Sequence, residues 1–197
     1  MTQTNDAPQK KEDRRVRRTK KLLTQALTEL MQQKQIKDIT VTELTEKADM
    51  NRGTFYLYYR DVFDMVEKIE DDMFSALDRI IALHSADVAE YQTRPILTDL
   101  FTLIEENQEM CRVLLSANGD MNFLHRLNGV LHDKCRNIWT ELRIHLDDSV
   151  FDYYYSFVVF GCAGLIRAWV NRFCPESAEE MAKLADTMLR QGSLITS

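Results

Sequence analysis

The sequence predicts an all-α protein of about nine helices, with a basic N-terminal segment followed by a larger acidic one. Glycine and proline together account for only 9 of 197 residues, which disfavours collagen-like, low-complexity and turn-rich all-β folds. Apolar residues make up 45% and charged residues 28% of the chain, a balance typical of globular proteins. Apolar residues recur at helical spacing along most of the chain, and no stretch alternates like a strand.

Charge is distributed unevenly along the chain. Residues 1–60 contain 13 Lys and Arg against 8 Asp and Glu, whereas residues 61–197 contain 12 against 23. We therefore expect only the N-terminal segment to contact a polyanion. The chain begins without the apolar segment of a secretory signal, and its longest apolar run covers about half of a membrane span. With four cysteines and no CxxC pair, these features predict a cytoplasmic protein with reduced thiols and no membrane partner.

Three helices are predicted in residues 13–60, after a disordered arm over residues 1–12. The second helix begins at Thr40, because Thr40 and Glu43 have the spacing of a capping box. After a three-residue break, the third helix begins at Arg52. A longer helix followed by two short helices with such a break is typical of a helix-turn-helix DNA-binding domain.

The third helix supplies the side chains expected to read DNA. Arg52 and Thr54 can reach base edges, and Gly53 leaves room for the helix to approach the groove wall. Tyr56 can place its hydroxyl group on a phosphate oxygen. Phe55 is expected to point inward and anchor the helix.

A basic run precedes this motif and extends the predicted DNA-binding surface. Eight of the twelve residues from 10 to 21 are basic, which fits contact with the DNA backbone or minor groove, or else a solvated helix face. Tyr58 can contact phosphate or pack in the core, and Tyr59 is expected in the core. The predicted DNA-contacting residues are Arg14, Arg15, Arg17, Arg18, Thr40, Thr42, Asn51, Arg52, Gly53, Thr54, Tyr56, Tyr58 and Arg60.

Six further helices are predicted in residues 61–197. Asp61 is placed to cap the fourth helix, and Pro95 suits the first turn of the fifth. The eighth helix is apolar nearly all round, which predicts that it is covered on most sides. The expected bounds are 61–84 for the fourth helix, a start at Pro95 for the fifth, and then 108–115, 121–145, 150–173 and 177–191.

Residues 39–66, ITVTELTEKADMNRGTFYLYYRDVFDMV, closely resemble the helix-turn-helix of the TetR repressor family. Three positions depart from the family pattern. Asp49 replaces the usual turn Gly, Thr45 replaces an Ala, and Val62 replaces a Lys that anchors a phosphate. Because Asp tolerates the left-handed conformation, we expect the turn to form; Arg60 can substitute for the missing Lys. The shared elements are Thr40, Val41, Leu44, Ala48, Gly53, Thr54, Phe55, Tyr56, Tyr59 and Asp61.

The resemblance implies that residues 61–197 dimerise, with the last two helices forming a four-helix bundle across a two-fold axis. Residues 160–169 look like the first of these two helices in one TetR branch. Independently, Gly161, Gly164 and Ala168 lie on one side of a helix and allow another helix, from a second copy or the same chain, to approach closely. The expected interface residues are Phe160, Gly161, Gly164, Ala168, Met181, Leu184 and Met188.

The resemblance also implies an effector cavity lined by the fourth to eighth helices. Taken singly, each candidate lining residue is more often ordinary core than cavity lining. The expected lining residues are Phe74, Leu77, Leu100, Ile104, Leu114, Phe123, Leu127, Leu131, Trp139, Tyr153 and Phe157.

The function implied by the resemblance is that of a homodimeric transcription regulator. It would bind palindromic double-stranded DNA and alter that binding when an unknown small-molecule effector moves the fourth helix. Repression is the commoner outcome in the family, and activation stays open. The alternative is a protein-interaction adaptor or coactivator-dependent regulator with a degenerate DNA-binding region. We expect no catalytic residues, no cofactor and no metal, because His132 and Cys135 share a helix face without a third ligand.

Overall fold

The computed structural model describes residues 14–85, 87, 92–115, 121–141 and 147–192, and within them it contains nine α-helices and no strand. The all-α prediction is therefore confirmed. The expected disordered arm, residues 1–12, lies outside the described residues. The helices are α1 (Arg14–Met31), α2 (Val41–Lys47), α3 (Arg52–Tyr56), α4 (Val62–Leu83), α5 (Arg94–Glu106), α6 (Gln108–Leu114), α7 (Met121–Glu141), α8 (Asp148–Asn171) and α9 (Ala178–Gly192).

The chain divides into two compact units, and the boundary falls between Asp64 and Met65, inside α4. We call the described residues up to Asp64 the N-terminal unit and those from Met65 the C-terminal unit. The boundary expected from the sequence, between residues 60 and 61, lies just before the start of α4.

The N-terminal unit is held together by an apolar core that α1, α2 and α3 share. Two ion pairs on its surface, Lys34 with Glu43 and Lys47 with Glu29, add little, because solvent screens the attraction between charges at a protein surface. The buried apolar residues of this unit are Leu23, Ala26, Leu27, Leu30, Ile39, Leu44, Phe55, Tyr59 and Val62.

The largest helix contact in the C-terminal unit is that of α9 with α5. Buried alanines recur along one side of α9, at Ala178, Ala182 and Ala185, and their small side chains allow α5 to approach closely. From α5, Leu97 and Phe101 fill this contact. The end of α8 joins the same core through its tryptophan (Trp169), whose ring packs edge-on against that of the α5 phenylalanine with centroids 5.4 Å apart.

A sharp reversal after α8 directs the chain into α9. Phe173 and Cys174 both adopt left-handed backbone conformations, with φ of 62° and 48°. Arg112 of α6 supports the reversal, because its Nε donates a 3.1 Å hydrogen bond to the carbonyl of Val170 and its guanidinium lies 4.3 Å from the centre of the Phe173 ring. The turn is thus stabilised by the end of α8 and by a second helix.

The surface of α8 differs from what the sequence predicts. Tyr153, Phe157 and Phe160 are 77%, 67% and 66% exposed, so the prediction that this helix is covered on most sides is wrong for a single chain. By length and composition alone, Ser149–Asn171 could also cross a membrane. A single helix of this kind is weak evidence for a membrane protein, because a helix that packs in a soluble core passes the same test.

Ala182→Leu should lower the free energy of unfolding by about 1–3 kcal/mol, because the larger side chain cannot enter the close contact between α5 and α9 without displacing it. Urea denaturation at fixed protein concentration measures the effect. The matched control is Lys183→Leu at the neighbouring exposed position, which should change stability by less than about 0.5 kcal/mol. Equal effects of the two substitutions would contradict the tight contact.

Candidate functional site

A reciprocal cap begins α2, as the sequence predicts. The amide of Glu43 donates to Thr40 Oγ1 at 3.2 Å, and the amide of Thr40 donates to Glu43 Oε2 at 3.1 Å. Lys34 Nζ donates to the other carboxylate oxygen. The hydrogen bond from Lys34, followed by those from Thr40, lowers the pKa of Glu43 to about 2. The carboxylate is therefore ionised at physiological pH and can accept these hydrogen bonds.

The turn between α2 and α3 accommodates two of the departures from the TetR pattern. Asp49 has φ of 53°, which confirms the predicted left-handed conformation. The amide of Met50 closes the turn on the carbonyl of Thr45 at 2.9 Å. Thr45 is 1% exposed, and its hydroxyl group donates to the carbonyl of Val41 at 2.8 Å, so replacing an Ala leaves no unsatisfied donor.

Helix α3 is only five residues long and is held by a cap and a buried anchor. The amide of Gly53 donates to Asn51 Oδ1 at 2.8 Å. Phe55 is fully buried, and its ring lies 5.5 Å from that of Tyr59, which is 5% exposed. The predictions that these two aromatic residues point inward are confirmed.

The opposite side of α3 is exposed. Arg52 and Gly53 are exposed, and Tyr56 is 58% exposed. A Cβ atom built on Gly53 would lie only 3.3 Å from Asn51 Oδ1, the atom that caps α3, and would meet no other side chain within 4 Å. Leu57, 76% exposed, follows on this side and was missed by sequence reasoning, because a helical Leu is usually a core residue.

The other predicted DNA contacts also lie at the surface of the N-terminal unit or partly within it. The basic start of α1 is exposed, whereas several hydroxyl-bearing residues are partly covered. DNA contact by all of these residues stays a prediction. The exposed ones are Arg14, Arg15, Arg17, Arg18, Thr40, Asn51 and Arg60, and the half-buried ones are Thr42, Thr54 and Tyr58.

The start of α4 shows what replaces the family's lysine. The amide of Asp64 donates to Asp61 Oδ1 at 2.8 Å, which confirms the predicted cap. Asp64 is 5% exposed and accepts 2.9 Å hydrogen bonds from the amide and Nε of Arg60. Val62 is 4% exposed and fills the core. The Arg60 side chain, 78% exposed, is therefore the cation presented to solvent at this place.

The predicted effector cavity is only partly matched by the buried residues of the C-terminal unit. The rings of Phe74 and Phe123 lie 5.5 Å apart between α4 and α7, and the Arg126 guanidinium lies 4.4 Å from the Phe74 centroid. The side chain of Trp139 lies outside the described residues. Of the predicted lining, Phe74, Leu77, Leu114 and Phe123 are buried, and Leu100, Ile104, Leu127 and Leu131 are half-buried.

Two residues assigned to this cavity are exposed instead. On α8, Phe151 and Tyr155 are buried, with His132 of α7 packed edge-on against both rings. Tyr153 and Phe157 therefore point away from α7, because successive residues of a helix turn by about 100°. Their assignment to the cavity lining is wrong for this chain.

A separate groove of about 260 Å³ lies between α4 and α5 and is open to solvent. None of the predicted cavity residues lines it. Its lining residues are Ala76, Arg79, Ile80, Asp99, Thr102, Leu103 and Glu106.

The predicted dimer surface is exposed except at one position. Leu184 and Met188 of α9 are 41% and 53% exposed, whereas Met181 is 4% exposed and packs into the core between α5 and α9. Met181 is therefore unavailable to a second chain, and its assignment to the interface is wrong. We call the exposed row along α8 the apolar strip, which consists of Tyr153, Phe157, Phe160, Gly161, Gly164 and Ala168.

Comparison with known proteins agrees with this geometry. The family model described as "Transcriptional regulator C-terminal region" (TetR_C_8) matches residues 92–191. YxbF of Bacillus subtilis (strain 168), described as an uncharacterized HTH-type transcriptional regulator, is 39% identical over 57 residues. That match covers 29% of this chain and 15% of YxbF, so the chain corresponds to a small part of this relative.

Two solved structures share the fold over most of the chain. The fatty acid degradation regulator FadR from Bacillus halodurans matches 91% of this chain and 96% of its own, with a TM-score of 0.63 and 13% identity. The FadR transcriptional regulator from Bacillus subtilis, in complex with stearoyl-CoA, matches 86% and 96%, with a TM-score of 0.61 and 13% identity. At these identities the likeness shows the fold.

Asp49→Ala should make the protein less stable than Asp49→Gly by about 1 kcal/mol. The left-handed conformation brings the Cβ atom of alanine too close to the following carbonyl oxygen, whereas glycine has no Cβ atom. Thermal or urea denaturation of the two variants, compared side by side, measures the difference. If both variants were equally stable, Asp49 would not be left-handed in solution.

Proposed function

The chain belongs to the TetR family of transcriptional regulators, and from this premise we propose that it is a cytoplasmic homodimer that binds a palindromic operator. In this proposal the N-terminal unit contacts the DNA, and the C-terminal unit dimerises and binds a small-molecule effector. Effector binding shifts the population toward a form with lower operator affinity, so that the protein acts as a repressor.

The exposed side of α3 is the observation that carries the DNA-binding proposal. Arg52 has the planar donor pair that suits guanine O6 and N7, and Tyr56 has a hydroxyl group for a phosphate oxygen. Gly53 is exposed, and because it has no side chain it leaves room for a DNA strand to approach the start of α3. The cap at Asn51 and the buried ring of Phe55 hold α3 in place.

The basic start of α1 supports the same surface. Its exposed arginines lie at positions 14, 15, 17 and 18, in the segment where the sequence concentrates positive charge. Contacts of this kind with phosphates supply affinity without sequence preference, and they weaken steeply as salt rises.

The apolar strip supports the homodimer. A row of exposed aromatic side chains followed by Gly161, Gly164 and Ala168 offers a surface that a second helix could cover closely. If two copies pair through this strip about a two-fold axis, each chain presents the same residues. A two-fold dimer presents two N-terminal units to two half-sites, which matches a palindrome.

The effector proposal rests on the apolar interior of the C-terminal unit. The aromatic rings of Phe74 and Phe123 pack there beneath Arg126, whose guanidinium also pairs with Asp71, and these rings suit an apolar ligand. Because the structurally similar B. subtilis FadR was solved with stearoyl-CoA, long-chain acyl-CoA thioesters are the first compounds to test. Thermal unfolding with each thioester, and with free CoA as the control, separates recognition of the acyl chain from that of the nucleotide.

Selection from a random duplex DNA pool tests the proposed function, using full-length protein at moderate salt. Enrichment of a palindrome would support a dimeric operator-binding protein and would provide the probe for effector screening. Enrichment of no sequence by folded, dimeric protein would overturn the proposal and favour the protein-interaction adaptor.

Arg52→Ala should reduce discrimination at one base position in each half-site by about 1–3 kcal/mol, because a bidentate contact to a base edge is lost. Competition binding with single-base variants of the selected operator measures this loss. Arg172→Ala, at an exposed position of the C-terminal unit, is the control and should leave discrimination unchanged. Unaltered selectivity in Arg52→Ala would remove this residue from the reading surface.

Gly164→Leu should weaken dimerisation at least tenfold, about 1.4 kcal/mol, because the new side chain would stand between two closely packed helices. Sedimentation velocity over a concentration series measures the monomer fraction. Gly129→Leu on α7 is the matched control, since a Cβ atom at Gly129 or at Gly164 meets nothing within 4 Å in this chain. A dimer as tight as the wild type would place the interface elsewhere.

A further inference from the structure

His84, directly after the end of α4, lies between two carboxylates. Its Nδ1 is 2.7 Å from Asp87 Oδ2, and its Nε2 is 2.7 Å from Asp99 Oδ2 of α5. The His84 side chain is 12% exposed, whereas the two aspartates are 40% and 43% exposed. Both ring nitrogens are therefore within hydrogen-bond distance of an anionic acceptor, in a mostly covered position.

This geometry determines the protonation state of the ring. An ionised carboxylate only accepts hydrogen bonds, and a neutral imidazole has a single N–H group. Two 2.7 Å contacts to carboxylates therefore require both ring nitrogens to donate, which only the imidazolium form can do. In a neutral ring, one nitrogen lone pair would face a carboxylate oxygen, and that contact would open.

The position of His84 in the fold adds a second, independent reason for the charge. Its amide donates to the carbonyl of Ile80, so the ring stands at the C-terminal end of the 22-residue helix α4. The unpaired carbonyl groups at such an end carry partial negative charge and stabilise a cation. The hydrogen bonds with Asp99 and then Asp87 raise the pKa of His84 above its ordinary value of 6.5.

We propose that protonated His84 links the C-terminal end of α4 to α5 through its hydrogen bond with Asp99, and that this link depends on pH. With the proton bound, the ring holds both aspartates. When the proton leaves to solvent at higher pH, the neutral ring has a single N–H group, so one of the two hydrogen bonds is lost and the link between the two helices is weaker. The inference requires neither DNA nor an effector, so it can fail while the proposed function stands.

Charged groups from both helices lie near His84 and Asp99. Within the described residues, Asp87 and Asp99 are the charged groups that contact the ring. Asp99 also lines the open groove between α4 and α5, together with Arg79 of α4 and Glu106 of α5. If Asp99 is released from His84, its carboxylate therefore lies at a groove that carries one cation and one further anion. If the proposed function holds, pH thereby alters the packing of the helix that begins in the N-terminal unit.

Nuclear magnetic resonance of the ring nitrogens tests the protonation state in the full-length protein. The chain has four histidines, and the signal lost in His84→Gln identifies His84. We expect its titration midpoint to lie above 6.5 and to fall in Asp99→Asn, a substitution at a partly exposed site. A midpoint at or below 6.5, or one that Asp99→Asn leaves unchanged, would overturn the proposal.

Thermal unfolding as a function of pH tests the attachment itself. Because the pKa of His84 is raised in the folded state, its contribution to stability is complete below pH 6.5 and disappears as pH rises through the folded-state pKa. The melting temperature of the wild type should therefore exceed that of His84→Gln at pH 6 and converge with it at higher pH. His125→Gln, at an exposed position on α7, is the control and should show no convergence. A difference in melting temperature between the wild type and His84→Gln that stays constant with pH would contradict the proposal.

Discussion

The close contact between α5 and α9 organises the C-terminal unit. Three alanines on α9 let α5 approach closely, and Trp169 at the end of α8 packs into the same core. Because α8 is joined to this core and then reverses sharply, its other side remains uncovered along the apolar strip. Burial inside one chain thus covers one side of α8 and leaves the apolar strip exposed.

The N-terminal unit is stabilised in a different way, suited to helices of seven and five residues. Such short helices are unstable in isolation, because fixing the backbone of the first turn costs more free energy than its hydrogen bond contributes. Here a side-chain cap begins each one, at Thr40 and at Asn51, and Phe55 fixes the second in a shared core. The buried ring that anchors α3 is therefore separate from the exposed side chains that the helix presents.

Charged hydrogen bonds hold both ends of α4. At its start, the nearly buried carboxylate of Asp64 accepts hydrogen bonds from Arg60, and beyond its end His84 lies between Asp87 and Asp99. The two attachments differ in their response to pH. Arginine keeps its proton at any pH that the protein meets, whereas histidine titrates in the physiological range. Of these two attachments, only the one at the C-terminal end of α4 therefore contains a cation of a type that titrates in the physiological range.

The sequence by itself determined the helical class, most helix boundaries and the helix-turn-helix, because caps, turn residues and apolar spacing are local signals. Thr40 with Glu43 and the inward Phe55 were predicted in this way, and the left-handed Asp49 was expected from the resemblance to the TetR family. Only the tertiary structure decided which side of an apolar helix is covered. Tyr153, Phe157 and Met181 have the same apolar character, yet the first two are exposed and the third is buried against α5. The contact between His84 and Asp99 could not be predicted from the sequence either, since those residues are 15 positions apart and are brought together only by the packing of two helices.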